Sequence, residues 1–301
     1  MSVRKEADLN GRTAIVTGAG GGIGRATALL LAERGAQVIV NDIGRTPDGH
    51  STAQRVVEEI LALGGHATSS TESVADFDSA GEIVATALRH YGGLDILVNN
   101  AGIAWNGQLW TLDPNEFEKV TASHIKGTYN CARHAVLPMR EQGFGRIINM
   151  VSRAGLHGLP GTLAYAVGKG GVFGFTNAAS LDLAPYGITV NAVNPSSTAT
   201  PMVLSAIETL EQRDEEGRQR AAKLRSAMQA PEQVAVVVAF LATPRAGAIT
   251  GQVFLAEGNR IGVFQPLTVT QEVERQDSWT VDELGDALVE LEYTRGLDPY
   301  E

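Results

Sequence analysis

The chain has almost no cysteine and no long apolar run. Its single cysteine, Cys131, excludes a disulfide framework and a cysteine-rich metal site, and we expect no metal centre. No stretch reaches the roughly eighteen consecutive apolar residues of a transmembrane helix, so no membrane span is expected. The first residues are polar and charged without an apolar core, which predicts no signal peptide at this end.

Positive charge is also scarce. Lys and Arg number 24 against 34 Asp and Glu, so the formal net charge is −10. This balance argues against nucleic acid and against an anionic membrane surface as partners. We therefore expect a soluble cytoplasmic protein. Its 301 residues suffice for one α/β domain with a sizeable core.

A glycine-rich turn follows the first apolar segment, residues 13–17. The turn has glycine at Gly18, Gly22 and Gly24, and a helix is predicted to begin near Ile23. Strand, glycine turn and helix in this order suit a dinucleotide pyrophosphate, because glycine permits close backbone approach and a helix N-terminus offers free N–H groups. A glycine turn alone is weak evidence, since turns collect glycine in any case.

The next apolar strand, residues 37–41, ends at Asp42. A carboxylate there accepts hydrogen bonds from the adenosine ribose hydroxyls and repels a 2′-phosphate, so the position favours NAD over NADP. Arg45 supports the alternative, since its guanidinium can pair with a 2′-phosphate. Ser73 and Val74 end a later, weaker strand, where an adenine ring would lie.

The third motif comprises Ser152, Tyr165 and Lys169. The apolar run 146–151 predicts a buried parallel strand and places the Ser152 hydroxyl at its carboxyl end, where open α/β sheets bind ligands. Tyr165 and Lys169 lie one helical turn apart on one face. We expect the ammonium to lower the tyrosine pKa from its usual value of about 10. Such a pair occurs by chance in many helices, and a purely structural role is equally plausible for it alone.

Apolar strands alternate with helical segments about seven times along the chain. This alternation predicts a doubly wound α/β fold with a roughly seven-stranded parallel sheet. We assign residues 1–262 to one domain and interpret the charge-rich segment of about 196–230 as a helical lid over the strand ends. Residues 263–301 are expected to be a C-terminal helical extension of the same domain.

The extension carries its own helix signal. Residues 280–283 match a capping box, and an apolar stripe follows on the predicted helix. This stripe packs either on its own subunit, which is the simpler interpretation, or over a neighbouring one. A homo-oligomer, either a dimer or a tetramer, is the expected assembly.

Taken in order, these motifs resemble the short-chain dehydrogenase/reductase family from about Leu9 to Gly262. Each motif is weak alone, but five of them at suitable spacings are a strong signal. They are the glycine turn with its preceding Thr17, the segment Asn99-Asn100-Ala101-Gly102, Ser152, the pair Tyr165 and Lys169, and the Asn194-Pro195-Ser196 segment that continues to Thr200.

The resemblance implies a single Rossmann domain that binds NAD. Tyr165 is expected to be the general acid/base, Ser152 to position the carbonyl or hydroxyl, and Lys169 to hold the nicotinamide ribose while lowering the tyrosine pKa. The remaining expected cofactor contacts are Asn100, Ala101 and Gly102 beside the adenosine ribose and diphosphate, and Pro195, Thr198 and Thr200 beside the nicotinamide.

Two positions depart from the family pattern. In a long helix predicted over residues 114–142, His124 stands where the family commonly has an asparagine that holds a proton-relay water. Histidine donates and accepts hydrogen bonds, so His124 either passes protons or fills a polar gap. Ser196 replaces the glycine of the family's Pro-Gly pair, which restricts the backbone at the cofactor edge.

With His124 and the pair Asn41 and Asp42, the sequence is similar to the hydroxyacyl-CoA dehydrogenase branch of multifunctional β-oxidation enzymes. We expect an NAD-dependent oxidoreductase that moves hydride between nicotinamide and a secondary alcohol or ketone. The expected partner is a small-molecule substrate, either a 3-hydroxyacyl thioester or a steroid. The substrate is expected to lie between the lid and Ser152, Tyr165, Trp105 and His157, although Trp105 suits ordinary packing equally well. The alternative is a non-catalytic protein that senses NAD on the same fold.

Overall fold

The computed structural model describes residues 8–105, 107–265 and 267–291. One compact unit reaches to Val263, and the residues from Phe264 onward form a second, smaller unit. All the predicted site residues belong to the first unit. The assignment of residues 263–301 to the same domain stays a prediction.

A single sheet of eight strands forms the centre of the first unit. The strands are β1 (Thr13–Thr17), β2 (Gln37–Asn41), β3 (His66–Ser70), β4 (Ile96–Asn99), β5 (Gly145–Met150), β6 (Ile188–Pro195), β7 (Val253–Glu257) and β8 (Arg260–Val263). Their order across the sheet is β3-β2-β1-β4-β5-β6-β7-β8. Strands β1 to β7 are parallel, and β8 pairs with β7 in the antiparallel direction. The predicted doubly wound parallel sheet is therefore confirmed.

The strand that sequence patterns do not indicate is β8. It is four residues long and none of its residues is buried, so no apolar pattern marks it. Its one signal is the Gly258-Asn259 pair, because glycine with asparagine is typical of tight hairpin turns. Gly258 has φ +57°, the left-handed conformation that such turns require.

Helices cover both faces of the sheet. Alternate residues of β1 face opposite layers. Ala14 and Val16 pack with the helices over residues 22–33, 52–62 and 231–241, whereas Ile15 packs with the helices over residues 77–91 and 127–142. The helices are α1 (Gly22–Glu33), α2 (Thr52–Ala62), α3 (Phe77–Tyr91), α4 (Pro114–Thr121), α5 (Gly127–Gln142), α6 (Arg153–His157), α7 (Leu163–Leu183), α8 (Pro201–Glu211), α9 (Glu215–Ser226) and α10 (Pro231–Leu241), with α11 (Val281–Leu288) in the second unit.

The predicted long helix over residues 114–142 is not continuous. A π-helical turn, Ala122–Lys126, separates α4 from α5 and contains His124. π turns are rare and frequently lie at functional sites, because the wider ring re-aims the side chains that it carries. Here the turn lies directly before the helix that packs against β4 and β5.

Two other segments are helical as expected. The charge-rich segment of about 196–230 contains two helices, α8 and α9, which pack on each other, and its role as a lid stays a prediction. The predicted capping box begins α11, where the Glu283 N–H donates to Thr280 Oγ1 at 3.3 Å and the Thr280 N–H donates to Glu283 Oε2 at 3.1 Å. Among the described residues, no helix is long and apolar enough to cross a membrane.

The sheet order also explains where the motifs meet. Strand β1 lies between β2 and β4, so the winding of the sheet reverses at this point. Open α/β sheets bind ligands at such a reversal, outside the carboxyl ends of the strands. The Gly18 turn follows β1 and Asn100 follows β4, so both motifs lie at this edge.

Candidate active site

The glycine turn connects β1 to α1 and has the shape of a pyrophosphate cradle. Gly18 and Gly22 have φ angles of +63° and +52°, which side chains rarely adopt. A Cβ added to Gly18 would lie 2.8 Å from the Ala101 Cα, so only glycine permits this approach. Helix α1 begins at Gly22 without a side-chain cap, which leaves its first N–H groups for an anion. These features fit a dinucleotide.

Thr17 and Asn100 fix the turn against the neighbouring strand. The Thr17 hydroxyl accepts the N–H groups of Asn100 and Ala101 at 3.1 and 3.0 Å and donates to the Val98 carbonyl at 3.3 Å. The Asn100 amide donates to the carbonyls of Thr17 and Gly18 at 2.9 and 3.0 Å. Sequence reasoning gave Thr17 no role of its own. Its only signal was its position at the end of β1, directly before Gly18.

Asp42 lies at the end of β2 and holds the adjoining turns. Its Oδ2 accepts the Gly20 N–H at 2.9 Å, and its Oδ1 accepts the Gly44 N–H at 2.7 Å and the Thr52 hydroxyl at 3.0 Å. A carboxylate has about four lone-pair sites, so one remains for a ribose hydroxyl. The Arg45 guanidinium donates to the Gly49 carbonyl at 3.0 Å.

Ser73 and Val74 follow β3 next to the π-helical turn. The Ser73 hydroxyl accepts the Ala75 N–H at 3.3 Å, and Asn130 donates to the Val74 carbonyl at 3.0 Å. The Val74 side chain is buried, and a Cβ added to Gly127 would lie 2.8 Å from its Cγ2. Asn130, which the sequence did not single out, thus holds the strand end predicted to lie beside the adenine.

Ser152, Tyr165 and Lys169 lie together beyond β5. Ser152 caps α6, where its hydroxyl accepts the Ala154 N–H at 3.2 Å, and it lies within hydrogen-bonding reach of the Tyr165 phenol. The Lys169 Nζ lies 5.8 Å from the centroid of the Tyr165 ring and donates to the Met150 carbonyl at 2.6 Å. Three elements, β5, α6 and α7, therefore bring the predicted catalytic groups into one cluster.

The pKa of Tyr165 differs from the expectation. Burial raises the tyrosine pKa, and the hydrogen bond from Ser152 opposes this rise only in part. Burial also lowers the pKa of Lys169 to about 7. The expected fall of the tyrosine pKa below its usual value is therefore not found, because the cost of desolvating the phenolate dominates and the Lys169 ammonium donates to the Met150 carbonyl.

His124 is the fourth member of the cluster. Its Nε2 hydrogen-bonds the Ile103 carbonyl at 2.8 Å, and its ring meets the Tyr165 ring edge-on. Two glycines make room for the imidazole: an added Cβ would lie 2.1 Å from His124 Cε1 at Gly102 and 3.0 Å from Cδ2 at Gly168. Burial and the Lys169 charge lower the pKa of His124 to about 3, against the effect of the Ile103 bond.

The segment after β6 reaches from the sheet to the glycine turn. Pro195 pairs with Ala256 in the sheet, and the buried Thr198 donates its hydroxyl to the Ser196 carbonyl at 2.8 Å. Thr200 caps α8, and its methyl group lies 2.9 Å from where a Cβ of Gly22 would stand. The predicted nicotinamide segment is thus adjacent to the pyrophosphate cradle.

The two predicted substrate residues lie in segments that flank the cluster in sequence. Trp105 is partly exposed and packs against Gly107, whose N–H donates to the Gly161 carbonyl at 2.7 Å. This bond ties the Trp105 loop to the segment that precedes α7. His157 is exposed at the last position of α6. Arg153, next to Ser152, has its Nη2 4.0 Å from Glu257 Oε1.

A glycine cradle at the sheet reversal and a Ser-Tyr-Lys cluster beside it define a doubly wound α/β protein of the nucleotide-binding class. Comparison with known families agrees. The family model described as short chain dehydrogenase matches residues 12–211. The chain belongs to this family of oxidoreductases, which use NAD(H) or NADP(H).

Individual relatives are similar over most of the chain. A 3-oxoacyl-[acyl-carrier-protein] reductase of Synechocystis is 38% identical over 84% of this chain and 98% of its own. A hydroxyacyl-CoA dehydrogenase of Mycobacterium tuberculosis is 32% identical over 97% of this chain and 91% of its own. The crystal structure of a short chain dehydrogenase from Mycobacterium avium is 38% identical, covers 94% of this chain and 95% of its own, and has a TM-score of 0.81.

Proposed function

We propose that this protein is an NAD-dependent oxidoreductase that interconverts a secondary alcohol and its ketone, with Tyr165 as the general acid/base. A single observation carries the proposal. The Tyr165 ring packs edge-on against His124, the Lys169 Nζ lies 5.8 Å from its centroid, and Ser152 is within hydrogen-bonding reach of the phenol. His124 and Gly102 link this group to the glycine cradle. A purely structural pair on a helix would not need these partners.

The residues that would hold the cofactor are those of the cradle and its neighbours. Gly18, Gly22, Ile23 and Gly24 would bind the pyrophosphate through backbone N–H groups. Asp42 would bind the adenosine ribose, and its negative charge would repel a 2′-phosphate, which supports NAD over NADP. Arg45 is the residue that could pair with the 2′-phosphate of NADP, but its guanidinium already donates a hydrogen bond to the Gly49 carbonyl. When bound, the nicotinamide ring accepts or supplies the hydride.

The proton is handled by the protein's own side chains. Tyr165 takes the proton from the substrate hydroxyl in oxidation and returns it in reduction. Ser152, within hydrogen-bonding reach of the same phenol, would hold the substrate oxygen. Lys169 provides the positive charge that stabilises the phenolate when it forms, since opposite charges at this range favour the ionised state.

His124 would act as a fixed hydrogen-bond acceptor rather than as a proton carrier. A carbonyl oxygen only accepts, so the bond to Ile103 requires the proton on Nε2 and leaves a lone pair on Nδ1. Nδ1 is buried and has no partner among the described residues. Such an acceptor suits a water that relays protons from Lys169, while the low pKa keeps the ring itself neutral.

The proposed substrate is a 3-hydroxyacyl thioester, and a steroid alcohol is the second choice. The support is the similarity to a hydroxyacyl-CoA dehydrogenase and to a 3-oxoacyl-[acyl-carrier-protein] reductase. Trp105 and His157, in segments that flank the catalytic cluster in sequence, would line the entrance under α8 and α9. Assembly as a dimer or tetramer and a cytoplasmic location stay predictions.

The test is a screen by NADH fluorescence. Hydroxyacyl-CoA thioesters, steroids and small secondary alcohols are offered with NAD and NADP in parallel. Turnover with NAD on a thioester supports the proposal, and preferred use of NADP overturns the cofactor assignment. Tight NADH binding without turnover on any alcohol would instead favour the non-catalytic sensor.

A further inference from the structure

Ser196 is the centre of a hydrogen-bonded junction at the end of β6. Its N–H donates to the Ala256 carbonyl at 3.0 Å, and its carbonyl accepts the Thr198 hydroxyl at 2.8 Å. The Ser196 hydroxyl donates to Glu257 Oε1 at 3.0 Å. The side chain that departs from the family's glycine thus makes a bond that glycine cannot make.

Glu257 is the partner of this hydroxyl and ends β7. Its Oε2 accepts from Arg260 Nη1 at 3.1 Å, and Arg153 Nη2 approaches Oε1 to 4.0 Å. The carboxylate is only 34% exposed. It therefore joins the ends of β6 and β7 to the helix that directly follows Ser152.

Gln229 holds the same segment from the other side. Its Nε2 donates to the Ala256 carbonyl at 2.8 Å and lies 3.2 Å from the Thr198 hydroxyl, and its Oε1 accepts the Gly258 N–H. Its backbone accepts the Ala199 N–H and donates to the Ser197 carbonyl, both at 2.9 Å. Gln229 is buried, so these bonds are shielded from water.

The two ends of the α8–α9 segment therefore meet at this junction. Thr198 before α8 and Gln229 after α9 form a parallel β-bridge. Two residues after Thr198, the Thr200 methyl lies against Gly22 of the glycine turn. Any loosening of the junction would let residues 195–200 shift relative to both the glycine turn and the Ser152 cluster.

We propose that Glu257 and Gln229 are positioning residues that hold residues 195–200 in the shape that binds the nicotinamide half of the cofactor. This rests on the proposed function. Both residues lie beyond the stretch 12–211 that matches the family model. A segment that is already ordered loses less conformational entropy when the cofactor binds, so the two side chains act on affinity without touching the cofactor.

The experiment compares four variants with the wild-type protein: Ser196→Ala, Glu257→Ala, the double variant that carries both of these changes, and Glu257→Gln. NADH affinity is measured by fluorescence titration, and amide hydrogen exchange of residues 195–200 is measured without cofactor. Losing a hydrogen bond to a charged acceptor should weaken NADH binding about tenfold and speed exchange at least as much. The double variant should bind NADH no more weakly than Glu257→Ala does, because the two changes remove the same Ser196–Glu257 hydrogen bond. Glu257→Gln should stay within about twofold, since its amide oxygen still accepts.

Arg260→Ala is the matched control. It removes the exposed partner of Glu257 but leaves the Ser196 bond, so NADH affinity should change less than about twofold. Gln229→Glu keeps the acceptor for Gly258 but loses the donor to Ala256, and should speed exchange at Ala199. A lower melting temperature with unchanged NADH affinity and unchanged exchange at residues 195–200 would overturn the proposal, as would additive effects in the double variant.

The two readouts separate this inference from the proposed function. If the wild-type protein bound NADH but turned over no alcohol, the proposed reaction would be wrong. The positioning role would still be tested by the NADH affinities and exchange rates of the variants. If the wild-type protein bound no NADH, the cofactor role would be overturned, whatever the exchange rates showed.

Discussion

The imidazole of His124 meets the ring of Tyr165 edge-on, with ring centroids 5.4 Å apart and ring planes at 81°. The two residues come from the π-helical turn and from α7. The contact buries an ionisable ring directly against the proposed general acid/base. The tautomer of His124 is fixed by a separate contact, because its Nε2 is bonded to the Ile103 carbonyl, which can only accept.

Replacing His124 should flatten the pH dependence of stability. The folded-state pKa of His124 is lowered from 6.5 to about 3, so the folded state binds fewer protons and loses stability as the pH falls below 6.5. Between pH 7 and pH 4.5 this loss is roughly 2–3 kcal/mol. Urea unfolding of His124→Asn at both pH values should show a correspondingly smaller loss. An identical pH dependence in the variant would contradict the burial of a neutral imidazole.

Gly102→Ala should displace His124. The added Cβ would lie 2.1 Å from His124 Cε1, and such overpacking costs roughly 1–3 kcal/mol. Combining it with His124→Ala should recover part of the loss, since the clash disappears. Gly174→Ala in α7 is the control, because no atom lies within 4 Å of its added Cβ. Thermal unfolding of the four variants decides, and strictly additive losses for Gly102→Ala and His124→Ala would rule out the contact.

Tyr165→Phe should remove turnover without removing the cofactor. General acid/base catalysis contributes about 10²–10⁴-fold, so kcat should fall by at least about a hundredfold. The phenyl ring keeps its packing against His124, and NADH affinity should change only a few-fold. Steady-state kinetics and fluorescence titration measure the two effects. Activity near the wild-type level would remove Tyr165 from the mechanism.

Asp42→Asn should weaken the preference for NAD. The change removes the charge that repels a 2′-phosphate but retains an oxygen that accepts from Gly44 and Thr52. The ratio of kcat/KM with NAD to that with NADP should fall by at least about tenfold, which corresponds to about 1.4 kcal/mol. Arg45→Ala is the comparison variant and should leave the NAD value unchanged. A clear loss of NADP use in Arg45→Ala would instead assign the 2′-phosphate to that guanidinium.

Much of the fold could be predicted because its signals are local. The strands β1, β2 and β4 are short apolar runs, and the glycine turn follows β1 directly along the chain. The interruption of the helix over residues 114–142 was not predictable in this way. The apolar pattern does not mark a π turn, and the space that Gly102 and Gly168 leave for the His124 ring is visible only in the tertiary structure.

The site shows the same division. Tyr165 and Lys169 share a helical face by spacing alone, and Asp42 follows its strand by position alone. The roles of Thr17 and Asn130 required partners more than fifty residues away in sequence, at Ala101 and Val74. The direction of the Tyr165 pKa was mistaken because a charge can be read from the sequence, whereas desolvation depends on everything packed around the group.

The sequence by itself determined the class of fold, the family and the set of residues that meet at the sheet edge. Strand–helix alternation and motif order are properties of the chain, and they constrain which groups can reach one another. Only the tertiary structure decided the state of those groups: the tautomer and neutral charge of His124, the direction in which Lys169 donates, and the Glu257 and Gln229 contacts at Ser196. Each depends on burial and on hydrogen-bond partners from distant elements, which packing brings together.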